Sequence, residues 1–376
     1  MVLPRIVLSL SLFLPLAGCD AEDDPAPDVE EPARGGAGKA DATGSCKAPS
    51  GDRCGDYSAS GSCWCDSYCV LDGSCCGDVQ TACPDVVAGP EVLIEGLDRP
   101  ESAVFDPVSG TIFVTNLAHN ILETDPLNPP EGRVGFVSRH YLEGDLHTER
   151  FAESFVSPKG IAIAKGVLYV ADPKEVVAID IESASRVASY TIEDVGLFND
   201  VAPGPDGKIY ATDTANPGLY DIDPYAPAVE AVSVIVRDER FEFPNGVTVV
   251  GQTAYVATTG LLPSEAGPGT PGRLFAVRLD TAEVREVEGV SGKWDGVVVL
   301  PDGTLVVNDF MDGTVHSVDA TTGEKTKLLD SPIAFQMPPA GIADMNVNGS
   351  TLLLPSMFTN ELWIYAAPVG TGEDGY

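Results

Sequence analysis

The chain reads as all-β: a six-bladed β-propeller carried behind a small disulfide-rich knot. Three observations predict this. The 376 residues include 39 Gly and 30 Pro but only 7% aromatic side chains, a turn-rich composition that favours short strands over helix bundles. From Glu91 to Ala366 one pattern recurs six times, at intervals of 40 to 58 residues, the length of a four-stranded blade. Eight of the nine cysteines fall in one block ahead of that repeat.

Residues 1–18 carry Arg5, an apolar core from Ile6 to Leu16 and small residues before Cys19, the pattern of an export signal. Leu16-Ala17-Gly18-Cys19 resembles the lipobox of bacterial lipoproteins. That resemblance implies cleavage before Cys19 and acylation of its thiol, hence an exported protein anchored at the cell envelope by lipid alone. Two or more acyl chains hold a membrane stably, where one is marginal. Residues 19–45 follow as an acidic, Pro/Gly/Ala-rich stretch without apolar periodicity, expected to be a disordered tether.

Cys46, Cys54, Cys63, Cys65, Cys69, Cys75, Cys76 and Cys83 crowd residues 46–84. Such density in an exported chain predicts a disulfide framework, because so short a segment has too little core to fold without staples. A zinc site is the alternative, but C-x-x-C pairs are missing. The string Cys63-Trp64-Cys65-Asp66, Cys69, Asp72, Cys75-Cys76-Gly77-Asp78 and Cys83 resembles a somatomedin B domain. The resemblance implies four disulfides and a surface for a protein partner. A rigid spacer is the other reading.

Residues 91–368 form the propeller and 369–376 a flexible tail. Each unit has a turn, an apolar strand, a Gly-containing hairpin and a second strand ending in a polar residue. Turns are explicit at Pro205-Asp206-Gly207, Pro301-Asp302-Gly303 and Asn348-Gly349. The stretch Glu91 to Gly96 is expected to close the ring as the outer strand of the last blade, since an open ring would leave a bare edge.

An innermost strand begins on the face to which the second strand returns. Two rings of side chains therefore share that face. The first, starting the inner strands and pointing into the channel, is Glu101, Lys159, Asn199, Asn245, Asp295 and Ala340. The second, ending the next strands, is Asn116, Asp172, Asp213, Thr258, Asp309 and Ser356. Glu101, Asn199, Asn245 and Asp295 supply only oxygen, which suits Ca²⁺, with Mg²⁺, Mn²⁺ or Zn²⁺ as further candidates. One such residue alone would read as a turn former; four in register around an axis read as a cation site. Lys159, Asn116, Asp172, Asp213, Thr258 and Asp309 are candidates to line a substrate pocket.

The strings Pro100-Glu101-Ser102-Ala103-Val104-Phe105, Phe198-Asn199-Asp200, Pro244-Asn245-Gly246 and Trp294-Asp295-Gly296 resemble the senescence marker protein-30/gluconolactonase/luciferin-regenerating enzyme family and its squid-type phosphotriesterase relatives. The resemblance maps the family's four metal ligands onto Glu101, Asn199, Asn245 and Asp295. It implies metal-dependent hydrolysis of a lactone or related ester. Leu197 stands where the family's sugar-lactone enzymes often carry a substrate-holding Arg, and Lys159 stands in the first ring; both are departures. Asp295 is the expected ligand and base, with Asp200 in reserve.

The formal charge of −35 argues against nucleic acid as a partner, since phosphate binding needs a Lys/Arg footprint. No G-x-S-x-G elbow or Walker motif occurs. His119, His140, His147 and His316 fall outside the first ring and read as surface or loop residues. The loops Leu117 to Gly132 and Thr259 to Gly272 are candidate lids. A non-catalytic propeller that binds a protein or glycan, with the cation only stiffening its channel, is the alternative function.

Overall fold

The computed structural model describes residues 92–366, apart from 122, 143, 228–229, 264–266, 331–340 and 350, together with 45, 47–48, 51–52, 76 and 82. The signal peptide, the lipidation site Cys19, the tether, most of the knot, Ala340 and the tail lie outside the described residues. Within the knot segment, Lys47–Ala48 pairs antiparallel with Gly51–Asp52, and Cys76 is disulfide-bonded.

Six four-stranded antiparallel sheets make the propeller. The inner strands of blades one to five are Pro100–Asp106, Ile161–Ala164, Phe198–Pro203, Pro244–Val250 and Trp294–Val299. That of blade six is Asn346–Asn348. The ring closes as expected: Val92–Ile94 pairs with Glu361–Ala366 as the outer strand of blade six. The N-terminal and C-terminal ends of the propeller thereby share one sheet, which closes the ring of blades.

Apolar side chains on facing blades pack into successive cores. Ala171, Val176 and Tyr220 bridge blades two and three; Val306, Val315 and Trp363 bridge five and six. Strands buried on both faces explain why the sequence shows apolar runs instead of clean alternation. Val247 and its neighbours start a strand pressed hard against blade five. A Cβ on Gly246 would sit 2.5 Å from the Asp295 carbonyl oxygen, so only glycine fits.

Polar contacts stitch each blade to the next around the channel. Gly160 N–H donates to Asn199 O (2.8 Å), Asp200 Oδ2 accepts from Val247 N–H (2.7 Å), and Thr259 Oγ1 donates to Trp294 O (2.9 Å). Asn308 Nδ2 donates to Ile342 O and Ala343 O, both at 3.0 Å. Ser102 Oγ donates to Asp344 Oδ2 (2.6 Å), and Lys159 pairs with Glu101.

Candidate functional site

Four inner strands share one irregularity. Pro100 pairs with Asn116 but Ala103 with Val114, so Glu101 and Ser102 together oppose Thr115. The same two-against-one step places Asn199 with Asp200, Asn245 with Gly246 and Asp295 with Gly296. A bulge bends the strand and re-aims a side chain. The four bulged residues are the four oxygen donors singled out above. The amide that a bulge frees is caught across the strand. Ser102 N–H donates to Thr115 Oγ1 (2.9 Å), Asp200 N–H to Thr212 Oγ1 (3.0 Å) and Gly296 N–H to Asn308 Oδ1 (3.0 Å).

Glu101, Asn199 and Asp295 are buried and Asn245 is half-buried. Glu101 Oε2, Asn199 Oδ1, Asn245 Oδ1 and Asp295 Oδ1 are buried and have no hydrogen-bond partner among the described residues. Buried polar atoms are normally satisfied, so four orphan acceptors at equivalent places in four blades require an explanation. The amide orientations follow from the network. Thr214 Oγ1 spends its proton on Pro244 O (2.6 Å) and so accepts from Asn199 Nδ2 (2.9 Å). Thr259 Oγ1 spends its proton on Trp294 O and accepts from Asn245 Nδ2 (3.2 Å). Both amides therefore turn oxygen away from the threonines, with Oδ1 left unpaired. Thr214 and Thr259 each lie one residue beyond a second-ring position, where the sequence pattern singled nothing out.

Lys159 occupies its first-ring position and donates to Glu101 Oε1 at 3.2 Å, with both side chains at most 5% exposed. Burial raises the Glu101 pKa despite that ammonium. Asp295 is pushed well up by burial, then by Glu101 and Asp344. Asp344, which the sequence reading missed, lies four residues past Ala340. It accepts from Ser102 Oγ and is raised to about 7, chiefly by burial and then by Glu101. Asp200 is raised well above the carboxylate range by burial and Asp344. Four carboxyl groups whose affinities for protons are all raised by burial, three of them also by neighbouring carboxyls, thus crowd this end of the channel, beside the single Lys159 side chain.

The donor set fits a hard divalent cation. Its unpartnered atoms are all oxygens, and amides supply half of them without adding repulsion. Among the described residues no three His, Cys, Asp or Glu side chains converge as a metal cluster, so the amide oxygens of Asn199 and Asn245 would have to complete any cation site.

The second ring does different work. Asp172 accepts from the N–H groups of Val156 (2.9 Å) and Ser157 (2.7 Å). Asp213 accepts from Gly196 (2.7 Å), Leu197 (2.8 Å) and Asn216 (2.9 Å). Asp309 accepts from Lys293 (2.7 Å) and Met311 (2.8 Å), and Asn116 Oδ1 from Asp98 (2.9 Å). Thr258 Oγ1 accepts from Arg273 N–H (2.9 Å), and Ser356 Oγ from Thr359 Oγ1 (2.8 Å). Four of these hold the segment that enters their own blade, and so hold the first ring in place. Asp200, too, has both oxygens on backbone amides, those of Val201 (2.6 Å) and Val247.

Of the candidate lids, Thr259 to Gly272 is clamped at its base. Leu261 N–H donates to Thr270 Oγ1 (2.9 Å), and Lys293 Nζ donates to Leu261 O (2.6 Å) and to Thr270 O. The other, starting at Leu117, folds back so that Thr124 Oγ1 meets His119 Nδ1 at 2.8 Å. His119 and His140 are buried, at 5% and 4% exposure, not surface residues. His140 alternates with Phe136 and Ser138 on an inward face of blade one, and His119 lies under the returning loop. A cleft of about 590 Å³ runs beside His140 and Asn116, on the flank of blade one.

No family model matches the chain, and no curated protein matches it. Among solved structures it is similar to a chain of the nidogen/laminin complex, at 14% identity and TM-score 0.52, over 64% of this chain and 89% of that one. It is also similar to virginiamycin B lyase from Staphylococcus aureus, at 12% identity and TM-score 0.49, over 73% and 98%. A catalytically inactive form of that lyase with quinupristin aligns at 11% identity and TM-score 0.49. The chain is a six-bladed β-propeller. At these identities the likeness is one of fold, and the propeller's activity must be argued from its own site.

Proposed function

We propose that the propeller is a divalent-cation-dependent hydrolase of a lactone or related ester, with Ca²⁺ as the favoured ion. The carrying observation is the set of four orphan oxygens, Glu101 Oε2, Asn199 Oδ1, Asn245 Oδ1 and Asp295 Oδ1, on four matching bulges. The resemblance of these four segments to the senescence marker protein-30/gluconolactonase family supports the same ligand set. A divalent ion held there would polarise a carbonyl and acidify water. The chain's own part is to hold substrate at the channel mouth and to accept a proton. Asp295 is the carboxylate assigned to accept it, with Asp200 in reserve. Leu197, in place of the family's arginine, argues for an ester other than an aldonolactone.

The lipobox-like end of the signal supports an envelope lipoprotein, and the cysteine block a somatomedin B-like knot for a protein partner. A screen of lactones and aryl esters, with and without EDTA, tests the hydrolase reading. Turnover lost on chelation and restored by Ca²⁺ is the expected result.

A second reading is a non-catalytic propeller that binds protein or glycan around a structural cation. The second ring favours it: those side chains are committed to backbone amides, which leaves few free groups to hold a substrate. Tight cation binding without turnover of any ester would select it.

A further inference from the structure

We propose that a cleft across the end of blade two, on the face where the first ring opens, is the subsite for an unbranched alkyl arm of the ester. The inference rests on the hydrolase reading and deepens it by naming the substrate class: aliphatic esters, or lactones with an alkyl substituent.

The cleft follows from connection lengths. Blade two joins its second and third strands, Val167–Asp172 and Glu175–Asp180, through Pro173 and Lys174 alone. The same connection in blade one runs from Leu117 to Val134. A long loop beside a two-residue turn leaves a trough. A cleft of about 410 Å³ opens there, between Leu127 of the long loop and Val156, Pro173 and Thr191 at the end of blade two. Small-molecule sites span about 300–1,000 Å³.

The polar groups of its wall are spent on the protein itself. Asp172 accepts from the N–H groups of Val156 and Ser157. Lys174 Nζ donates to Val195 O (2.8 Å) and to Gly196 O, which draws its charge toward blade three. Thr191 Oγ1 donates to Lys174 O (2.7 Å), and Glu175 is held by Arg186 and Ser189. On the facing loop, Asp125 accepts from Leu127 N–H (2.9 Å) and from Asn128 Nδ2 (2.8 Å), which fixes the turn that presents Leu127. What remains to meet a ligand is hydrocarbon: the Leu127 and Val156 side chains, each 39% exposed, the Pro173 ring and the Lys174 stem. Such a wall favours an alkyl chain over a charged or hydrogen-bonding group.

The inner end of the cleft is tied to the first ring by the backbone. Val156 precedes Lys159 by three residues, a span of at most about 11 Å between Cα atoms. Lys159 N–H donates to Ala171 O (2.8 Å), the residue before Asp172. Lys159 Nζ in turn lies 3.2 Å from Glu101 Oε1. An arm that starts at a carbonyl over the first ring therefore has an apolar path outward across blade two.

Two ester series with Ca²⁺ present test this in the full chain: nitrophenyl acetate through octanoate, lengthened on the acyl side, and methyl through octyl acetate, lengthened on the alcohol side. In one series kcat/KM should rise about two- to fourfold per methylene, and that series shows which side of the ester carries the arm. The double variant Leu127→Gln, Val156→Gln should flatten the rise. In methyl-labelled wild type, the Leu127 and Val156 resonances should move when the amide analogue of the longest good substrate is added. Acetate turnover with no rise in either series overturns the subsite and leaves the hydrolase reading standing. So does a rise that the double variant keeps in full, which would put the arm elsewhere. Methyl resonances that stay still also overturn it, as a cleft already covered by residues 19–90 of the same chain would give. A protein that binds Ca²⁺ yet turns over no ester of either series overturns both readings.

Discussion

Lys159 Nζ and Glu101 Oε1 lie 3.2 Å apart in a pocket almost closed to water, and the other oxygen of the same carboxylate has no partner among the described residues. Glu101 is thus shared: one oxygen answers the Lys159 side chain, and the other is one of the four unpartnered acceptors. Removing one member of a buried ion pair leaves an uncompensated charge, which costs about 3–5 kcal/mol.

Lys159→Met should therefore destabilise the cation-free protein by about 3 kcal/mol and make Ca²⁺ rescue it more than it rescues wild type. The competing ammonium is gone, so the ion meets a fully free Glu101. Thermal unfolding with and without Ca²⁺ reads both effects. Equal Ca²⁺-induced shifts in the two proteins would show that Glu101 is not shared with the cation.

Asp295→Asn should act in the opposite sense on the cation-free fold. Burial and the neighbouring carboxyls push Asp295 well above the normal carboxylate range, so removing its charge relieves repulsion. The variant is expected to be at least as stable as wild type in EDTA, yet to lose the Ca²⁺ shift, about 2.7 kcal/mol at an ion concentration near 100 times Kd. A Ca²⁺ shift equal to wild type would remove Asp295 from the ligand set.

The second ring should separate fold from site. Asp213 accepts from four backbone amides, those of Gly196, Leu197, Ala215 and Asn216, and from the Tyr220 hydroxyl (3.2 Å). Hydrogen bonds to an ionised acceptor contribute about 1.5–3 kcal/mol each. Asp213→Ala should cost on the order of 3 kcal/mol in urea unfolding and leave the Ca²⁺ isotherm close to wild type below the transition. Loss of cation binding in the folded variant would place Asp213 in the site itself.

Much of this arrangement was legible before any coordinates, because blade length, turn chemistry and ring register are local periodicities. The closing strand Val92–Ile94 followed from the need to cover an edge. The bulges were not legible: a two-against-one step at Glu101–Ser102 leaves no mark in a single strand, only in its pairing with Thr115. Nor were Thr214 and Thr259, whose value lies in spending their protons on the next blade. Asp344 lay off the ring pattern, four residues beyond Ala340, and reaches the site only because blade six is sewn to blade one through Ser102. His147 is exposed and His119 lies in a loop, as read, but the burial of His140 was not legible, because a strand seen alone does not show which of its faces a neighbour covers.

His140 supplies a test of the propeller's acid limb that is independent of any cation. It is 4% exposed, its Nε2 meets Ser138 Oγ at 2.9 Å, and burial pushes its pKa down to about 4. The unfolded chain takes up this proton near the ordinary histidine value of about 6.5. Between those values the unfolded state binds more protons than the native one, so stability must fall as pH drops from about 6.5 to about 4. The contribution is complete above that window and lost within it. The difference in unfolding free energy between wild type and His140→Gln should therefore shrink steadily on acidification across that range, with both proteins held in EDTA. A difference that stays constant with pH would mean that His140 ionises in the folded propeller as freely as in the unfolded chain, and that its burial is not what holds it neutral.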